Sequence, residues 1–436
     1  MRRARRVLAG LAALVVATAV WLPAVHLLYT GNTDRYFADE GVPPGGRELA
    51  RRHLDLWEDA DLRAAEIDRM RLRNAEWDFM GRSYLVWALA NMALRRPESK
   101  AAYLAVMDRI IDETMAVERE KGCRHFLMAY GQSGRFVVEP QRSHFVDGEV
   151  ALMLGMRRVV EEKAAYRAPF TERVDLMVER MGRSRVLSAE SYPNECWLFC
   201  NVVALDAIRV ADYLDGTDHA AFFREWIETA KARLTHTGTG LLNSSYTVNG
   251  MTKDGPEGST IWMAAHGLQI IDPAFSRDQY DRAKRELAVT ALGFGYAKEW
   301  PASRRGPMDV DSGPIIPVLE VSAGASGQAV VGAAAFSDRT YLAHLLSTLR
   351  FAAFPQRRRG ALRFAASNQV GDAVLLYAAV QGPMWERVGR PVPPASSRPL
   401  VGAPTTSSFS ADAHNPHPVP LHGRERGEHA EVSHDG

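Results

Sequence analysis

Cysteine is scarce in this chain of 436 residues, which contains three. Three cysteines cannot build a disulfide framework, so the fold must be held by its hydrophobic core. The chain also lacks an excess of either charge: 53 basic and 52 acidic side chains leave a net charge of +1, which argues against a nucleic-acid partner. It contains no dinucleotide-binding glycine fingerprint, P-loop, HExxH or GxSxG motif. We therefore expect neither a bound cofactor nor a metal.

The N-terminus carries four arginines in its first six residues, followed by a long apolar run over residues 7–29. About 20 apolar residues can cross a bilayer as a helix. Arginines before such a run predict a cytoplasmic N-terminus, with the body of a single-pass membrane protein outside the cytoplasm. The alternative is a cleaved signal peptide and a secreted protein, because Ala17-Thr18-Ala19 resembles a cleavage site. We favour the anchor for residues 1–30, because residues 20–29 stay apolar beyond that site.

The composition changes near the C-terminus. Residues 391–436 hold eight of the 23 prolines and five of the 13 histidines. A segment of this kind cannot bury enough apolar surface to order itself, so we predict a disordered tail. We favour a solvated tail over a metal site for its histidines.

The body of the chain, residues 47–384, has a helical period of apolar residues. Two kinds of helix alternate in it. Amphipathic, charged helices are predicted over 47–73, 99–120, 168–182, 217–235, 275–298 and 338–350. Helices that are apolar nearly all round are predicted over 78–95, 142–160, 193–214, 257–272, 312–336 and 365–381. An amphipathic helix lies at a surface and an apolar one is enclosed. Residues 31–390 therefore predict an all-α fold, an (α/α)6 toroid with six inner and six outer helices.

In such a toroid the six inner helices run parallel, so the residues just before them converge on one mouth. Acids occur at five of these six positions, among them Asp147, Glu195, Glu257 and Asp311. Capping explains single acids. Crowded carboxylates beside apolar walls, however, acquire separated pKa values and so supply an acid and a base. Such a pair can hydrolyse a glycosidic bond, eliminate water or move a proton. His144, at the same mouth, is either a core residue or a proton carrier.

Cysteines and aromatic residues lie in or next to the inner helices. Cys196 and Cys200 are four residues apart, which without further ligands is a poor zinc signature. Buried side chains are their default interpretation, and a thiol contact at the mouth is the alternative. Aromatic rings there either fill the core or form the wall of a substrate pocket. The predicted substrate contacts are Tyr84, Tyr192, Tyr246, Glu257 and Trp262.

Two short segments resemble the linalool dehydratase/isomerase family. Pro193-Asn194 and Phe199-Cys200-Asn201 are similar to that family's Cys-Glu-Pro-Asn and Phe-x-x-Cys-Asn pattern, and Ser143-His144-Phe145 is similar to its Gly-His-Leu segment. The family's first cysteine falls at Ser191 here, and the following Glu falls at Tyr192. The resemblance implies an (α/α)6 toroid that adds or removes water and shifts a double bond in a terpene alcohol without a cofactor. It also implies active-site roles for His144 and Cys200, and it allows a homo-oligomer with shared pockets.

These observations lead to one preferred hypothesis and two alternatives. The preferred one is a membrane-anchored lyase or isomerase that acts by acid/base chemistry on an apolar alcohol or alkene. His144 and Glu195 would carry protons, Cys200 would contact the substrate, and Asp147 and Asp311 would be further acids. The first alternative is a glycan-active hydrolase, lyase or epimerase on the same toroid. The second is a non-catalytic envelope protein that binds a lipid or a partner.

Overall fold

The computed structural model describes residues 2–38 and 40–389, so the predicted tail over 391–436 lies outside the described residues. The described part is mostly helical. In chain order its α-helices are α1 (Arg2–Ala24), α2 (Pro44–Glu58), α3 (Ala60–Arg63), α4 (Arg69–Arg73), α5 (Ala75–Arg95), α6 (Lys100–Lys121), α7 (His144–Val160), α8 (Ala164–Gly182), α9 (Leu198–Asp215), α10 (Ala220–Arg233), α11 (Gly258–Gly267), α12 (Pro273–Leu287), α13 (Ala323–Ala335), α14 (Arg339–Ala352), α15 (Gln369–Val380) and α16 (Pro383–Val388).

Six of these helices form a closed inner ring. Helices α5, α7, α9, α11, α13 and α15 each pack against the next one, and α15 closes the ring by packing against α5. Helices α6, α8, α10, α12 and α14 each follow an inner helix on the outside of the ring, and α2 packs on α15. The first outer helix therefore completes the last inner–outer pair and joins the two ends of the toroid. The predicted (α/α)6 toroid is confirmed.

The burial of side chains follows the predicted polarity of the helices. Every residue of α7 from its start to Val159 is buried, whereas α6 buries one face around Met107 and Ile110. Polar caps set several helix starts: the Asn74 side chain accepts hydrogen bonds from two backbone amides of α5 at 2.9 and 3.2 Å. Gly216, with a φ of +73°, ends α9 in the left-handed conformation that glycine tolerates best.

Short strands fill several of the connections that lead from an outer helix to the next inner one. In the described residues these are β1 (Cys196–Trp197), β2 (Ser245–Tyr246), β3 (Thr252–Asp254), β4 (Ala288–Ala291), β5 (Phe294–Ala297), β6 (Asp309–Val310), β7 (Gly313–Ile316), β8 (Val321–Ser322), β9 (Pro355–Arg358) and β10 (Ala361–Phe364). They form antiparallel sheets in the orders β1-β2-β3, β4-β5, β6-β7-β8 and β9-β10.

These strands correct two predicted helix boundaries, and a third predicted helix is interrupted. The helix predicted over 275–298 ends at Leu287, because Leu292 and Gly293 both adopt positive φ and turn the chain into the β4–β5 hairpin. The helix predicted over 312–336 begins only at Ala323, since Pro314 and Pro317 prevent an earlier helix. The helix predicted over 47–73 is interrupted at Asp59, whose backbone is extended.

Helix α1 stands apart from the toroid. It is long and apolar enough to cross a membrane, and none of its residues is buried in the protein. By length and composition the helix fits a membrane anchor and a signal sequence equally well. The predicted N-terminal apolar helix is thus present, and its retention as a membrane anchor stays a prediction.

Candidate active site

The inner helices all begin at one end of the toroid, which we call the mouth end. The connections that precede them touch one another there. Asn74 and the Trp77 indole, at the start of α5, both donate hydrogen bonds of 3.1 Å to the backbone carbonyl of Asp311. The Ser143 hydroxyl, just before α7, donates to the Ser191 carbonyl at 2.6 Å. The connections that precede the inner helices therefore meet at this end, as predicted, and their polar side chains lie close together.

Two acid–tyrosine pairs lie side by side at this mouth. The Tyr192 hydroxyl donates a hydrogen bond to Glu76, and the Tyr130 hydroxyl donates to Asp311 Oδ2 at 2.7 Å. The two tyrosine rings are stacked, with their centroids 4.7 Å apart. Tyr192 also accepts a hydrogen bond from the backbone amide of Met128 at 2.8 Å, which fixes its position. The stacking links the two acids into one cluster.

The environment raises the pKa of both acids. Burial, with an added contribution from the nearby Asp311 and Glu195 charges, raises the pKa of Glu76 to about 8. Burial also raises the pKa of Asp311, although the hydrogen bond from Tyr130 opposes the change. A carboxyl group with a pKa near 8 keeps its proton through most of the neutral range, and it can both donate and accept one.

A second acid lies deeper, on α7. Glu149 is fully buried; it accepts a hydrogen bond from the Ser83 hydroxyl through Oε2, and its Oε1 has no partner among the described residues. Burial raises its pKa to about 8, and the charge of Glu76 adds to the effect. Glu149 therefore keeps its proton through most of the neutral range, and one of its two oxygens is buried without a hydrogen-bond partner among the described residues.

The thiol of Cys200 belongs to the same group of side chains. Cys200 lies in the first turn of α9, and burial raises its pKa well above the usual range. Its thiol is hydrogen-bonded with Ser191, and the charges of Glu149 and Glu76 disfavour ionisation further. Cys200 is accordingly a neutral thiol next to two acids whose pKa values are raised.

Two more of the predicted acids reach this cluster. Glu195 is mostly buried, forms an ion pair with Lys253 at 3.3 Å, and contributes to the raised pKa of Glu76. Glu257 precedes α11; burial raises its pKa well above the usual range, and Asp311 is among the charges that add to this. The structure thus brings Glu195, Cys200, Glu257, Asp311 and Tyr192 together at the mouth end.

Asp147 lies elsewhere, on the outward side of α7. It is fully buried and accepts hydrogen bonds from Arg142 Nε at 3.0 Å and Arg173 Nη1 at 2.6 Å, with Arg180 at 3.9 Å. Burial alone would raise its pKa, but these three guanidinium groups lower it below the ordinary value. Asp147 is therefore a member of an ion network, and its predicted catalytic role stays a prediction.

His144 lies one helical turn before Asp147, on the same side of α7. The ring is fully buried, and neither nitrogen has a hydrogen-bond partner among the described residues. Burial, together with the charge of Arg180, lowers its pKa to about 3, so the imidazole is neutral. The charges that act on His144 come from Arg180 and Asp147. His144 is the first residue of α7 and so lies at the mouth end, and its role as a proton carrier stays a prediction.

Three of the predicted substrate contacts are packed within the protein. Trp262 faces outward, within 6 Å of the rings of Tyr280 and Tyr341 on outer helices. The Tyr84 hydroxyl reaches across the ring to Gln328 of α13 at 3.0 Å and so fills the interior below the mouth. Tyr246 is buried and lies 3.1 Å from the Ser188 hydroxyl. Tyr192 is the predicted aromatic contact that lies at the mouth.

Sequence reasoning missed three residues of the cluster: Glu76, Tyr130 and Glu149. The signal for Glu149 was present, because it is an acid within a helix that is otherwise apolar nearly all round. Tyr130 lies in a long connection without a periodic pattern, and it offered no such signal. The described residues contain no group of three or more His, Cys, Asp or Glu side chains that is arranged to hold a metal ion.

The chain is similar to two solved glycoside hydrolase structures and to one family model. A solved family 76 glycoside hydrolase, an alpha-mannanase of Bacteroides thetaiotaomicron, is 10% identical with a TM-score of 0.46, over 71% of this chain and 86% of that one. An unsaturated glucuronyl hydrolase from a Bacillus species is 13% identical with a TM-score of 0.45, over 70% of this chain and 86% of that one. A family model described as linalool dehydratase/isomerase matches residues 149–370, just over half of the chain. The matched range includes Glu149, Cys200 and Asp311.

Proposed function

The chain belongs to the linalool dehydratase/isomerase family, and from this premise we propose that it is a cofactor-independent lyase or isomerase for an apolar alcohol or alkene. The observation that carries the proposal is the buried group of Glu76, Glu149 and Cys200 at the mouth end. Two carboxyl groups with pKa values of about 8 supply an acid and a base near neutral pH.

Glu149 is the general acid in this proposal, because it is protonated and one of its oxygens is unpartnered. It protonates the hydroxyl oxygen of the alcohol, and the C–O bond breaks with its electron pair going to the departing water. Glu76 in its ionised form takes the proton from the adjacent carbon, and the C–H electron pair becomes the new double bond. The reverse sequence adds water, and addition at the other end of an allylic system gives the isomer.

The remaining residues of the cluster tune these two acids. Tyr192 holds Glu76 in place by its hydrogen bond, and Asp311 raises the pKa of Glu76 through its charge. The neutral Cys200 thiol is a weakly polar contact for the reacting carbon skeleton. The charge of Glu195 adds to the raised pKa of Glu76, which favours the protonated form of that acid.

The experiment that tests this function uses small alkenols and dienes with the purified full chain, and gas chromatography of the products. Glu149→Gln and Glu76→Gln should each lower kcat/KM by about 100-fold or more, since each removes a proton-transferring group. Glu162→Gln, a half-exposed acid just beyond the end of α7, is the matched control and should leave turnover unchanged. Full activity in both Glu149→Gln and Glu76→Gln would contradict the proposal.

A glycan-active enzyme is the second candidate, and one feature of the mouth favours it. Tyr130 is 49% exposed, stacks on Tyr192 and bonds Asp311, so an open aromatic face lies beside an acid. Polysaccharides and unsaturated oligosaccharides belong in the same screen, with Tyr130→Ala as the diagnostic variant. Release of reducing sugar that depends on Tyr130 would favour this candidate over the first.

We also propose that α1 anchors the protein in a membrane with the toroid outside the cytoplasm. The support is a helix of sufficient length and apolarity, none of it buried in the protein, with four arginines before it. Carbonate extraction of membranes should leave the full chain in the pellet. Intact-mass measurement of the protein tests the alternative, because signal cleavage after Ala19 would remove the N-terminal residues.

A further inference from the structure

The two ends of the toroid differ in the polarity of their exposed side chains. Beyond residue 28, the exposed large apolar side chains of the described residues lie in the connections that lead into the inner helices or in the last turn of an outer helix. They therefore all lie toward the mouth end. They are Leu72, Tyr130, Val137, Met251, Leu292, Met308, Ile316, Val318, Leu319, Phe351 and Phe354.

The opposite end, where inner helices turn into outer ones, exposes charged groups and, among the described residues, none of these large apolar side chains. Glu98 lies in the turn between α5 and α6, Glu161 and Glu162 follow α7, and Asp218 follows α9. A contiguous apolar region on a soluble surface is uncommon and marks contact with a protein or a membrane. Because the exposed large apolar side chains lie toward the mouth end, a contact of this kind would be made there.

The chain that leaves α1 also runs along the mouth end. Tyr29 lies edge-on to Phe351 with ring centroids 5.0 Å apart, and Tyr29 and Phe351 both contact Phe294 of β5. Helix α14 runs antiparallel to α13, so its last turn with Phe351 lies at the end where α13 begins. Leu27 and Leu28 extend the exposed apolar surface from α1 to this point.

The connection that carries Asp311 exposes an unusual apolar tip. Val318 is 97% exposed and has a φ of +72°, a conformation that β-branched residues rarely adopt. The Tyr296 hydroxyl of β5 donates a hydrogen bond of 2.9 Å to the Leu319 carbonyl, which holds the tip next to the β4–β5 hairpin. A strained and fully exposed valine is unfavourable in water, so the tip is shaped for an apolar surrounding.

We propose that the mouth end of the toroid lies on the lipid bilayer that α1 enters, and that an apolar substrate passes from the lipid into the mouth. The lipid contact stands on the exposed residues above, and the substrate route rests on the function proposed for this site. Continuity with α1 favours lipid as the occupant. The exposed run Arg357-Arg358-Arg359, which follows Phe354 closely, suits anionic headgroups. Aromatic rings such as Phe351 and Phe354 suit the membrane–water interface.

Photocrosslinking of the full chain tests the proposal without relying on turnover. p-Benzoylphenylalanine is introduced singly at position 318 or 354 of the mouth end, at position 217 of the opposite end, and at position 15 of α1. Each protein is reconstituted in vesicles of phosphatidylcholine and phosphatidylglycerol and irradiated, and lipid adducts are counted by mass spectrometry. We expect adducts at 15, 318 and 354 to exceed those at 217 at least tenfold. Position 217 is a suitable control because Thr217 is exposed as well.

Three outcomes would overturn the proposal. Adducts at 318 and 354 that match the low level at 217, while position 15 reacts, would show that α1 alone enters the lipid. Crosslinks from 318 or 354 to a second copy of the chain would assign the mouth end to a homo-oligomer. Failure at position 15 itself would remove the anchor, and the membrane-facing end with it. Since none of these readouts measures turnover, they leave the acid/base assignment to the Glu149→Gln assay.

Discussion

Replacing Glu149 by glutamine should make the toroid more stable, and increasingly so as the pH rises. Glu149 is fully buried with one oxygen unpartnered, and burial raises its pKa from 4.5 to about 8. The unfolded chain therefore releases this proton at a lower pH than the folded protein does. A group whose pKa is raised by folding stabilises the fold fully when the pH is below its pKa in the unfolded chain. That contribution is lost as the pH rises through its pKa in the folded protein.

The magnitude follows from the two pKa values. At about 1.4 kcal/mol per pH unit, ionisation of the buried acid costs about 2 kcal/mol of unfolding free energy at pH 6 and about 4–5 kcal/mol at pH 8.5. Glutamine has nearly the same shape and no proton to lose. Relative to the wild type, the variant should therefore gain about 2–3 kcal/mol between pH 6 and pH 8.5.

Thermal unfolding of the detergent-solubilised full chain at a series of pH values measures this difference. A change of 1 kcal/mol moves the Tm by about 2–4 °C in domains of 150–250 residues, and by less in a larger one, so a few degrees are expected. Glu162→Gln is the matched control, because that acid is half-exposed. A Glu149→Gln variant that loses stability equally at pH 6 and pH 8.5 would refute the reasoning, since it would mean that the fold needs an ionised carboxylate there.

Three further substitutions test the assignments around the cluster. Asp147→Asn removes the carboxylate that lies 3.9 Å from the buried Arg180, while Arg142 and Arg173 keep Glu118 as a partner. It should lower the unfolding free energy by about 3 kcal/mol at pH 7. Because the pKa of Asp147 is lowered from 3.8, the penalty should shrink as the pH falls below that value. Activity lost with an unchanged Tm would support the catalytic role predicted for Asp147. Cys200→Ser should lower kcat/KM about tenfold, whereas Cys196→Ser, an equally buried neighbour, should not; equal losses would refute a specific thiol contact. Tyr192→Phe removes a hydrogen bond that lowers the pKa of Glu76. The acid limb of the pH–rate profile, which reports the ionisation of this base, should therefore move to higher pH, and a move to lower pH would contradict the pairing.

The toroid is predictable from the sequence because its helices differ in kind. An inner helix such as α7 is enclosed on all sides, and an outer one such as α6 is covered on one face, so the hydrophobic pattern separates the two rings directly. The pattern fails where the chain leaves helical geometry. The run after Leu287 keeps an apolar composition while Leu292 and Gly293 turn it into a hairpin, and composition alone does not reveal that change.

The site is only partly predictable, since the direction of a side chain depends on packing rather than on position along the chain. Asp147 and Glu149 are two residues apart at the start of α7, yet one faces the arginines of the outer ring and the other faces Ser83 of the next inner helix. A helical rotation of about 100° per residue separates them by about 200°. Proximity to the mouth in sequence does not distinguish the two acids, and the helix phase is needed to assign one to an ion network and the other to the cluster.

The two residues that depart from the family pattern, Ser191 and Tyr192, both contact members of the mouth cluster. Where the pattern has Cys-Glu, this chain has Ser191 and Tyr192, so a thiol and a carboxylate are both missing from that segment. Ser191 keeps a hydrogen bond with Cys200, the thiol that remains. The Tyr192 hydroxyl extends to Glu76 on α5, which returns a carboxyl group to the mouth from a neighbouring helix. Glu195, closer in sequence, is engaged by Lys253 instead. Glu76 of α5 therefore lies where it can replace the carboxyl group that the segment lacks. Tyr192, which stands at the position of the missing glutamate, holds Glu76 there by its hydrogen bond.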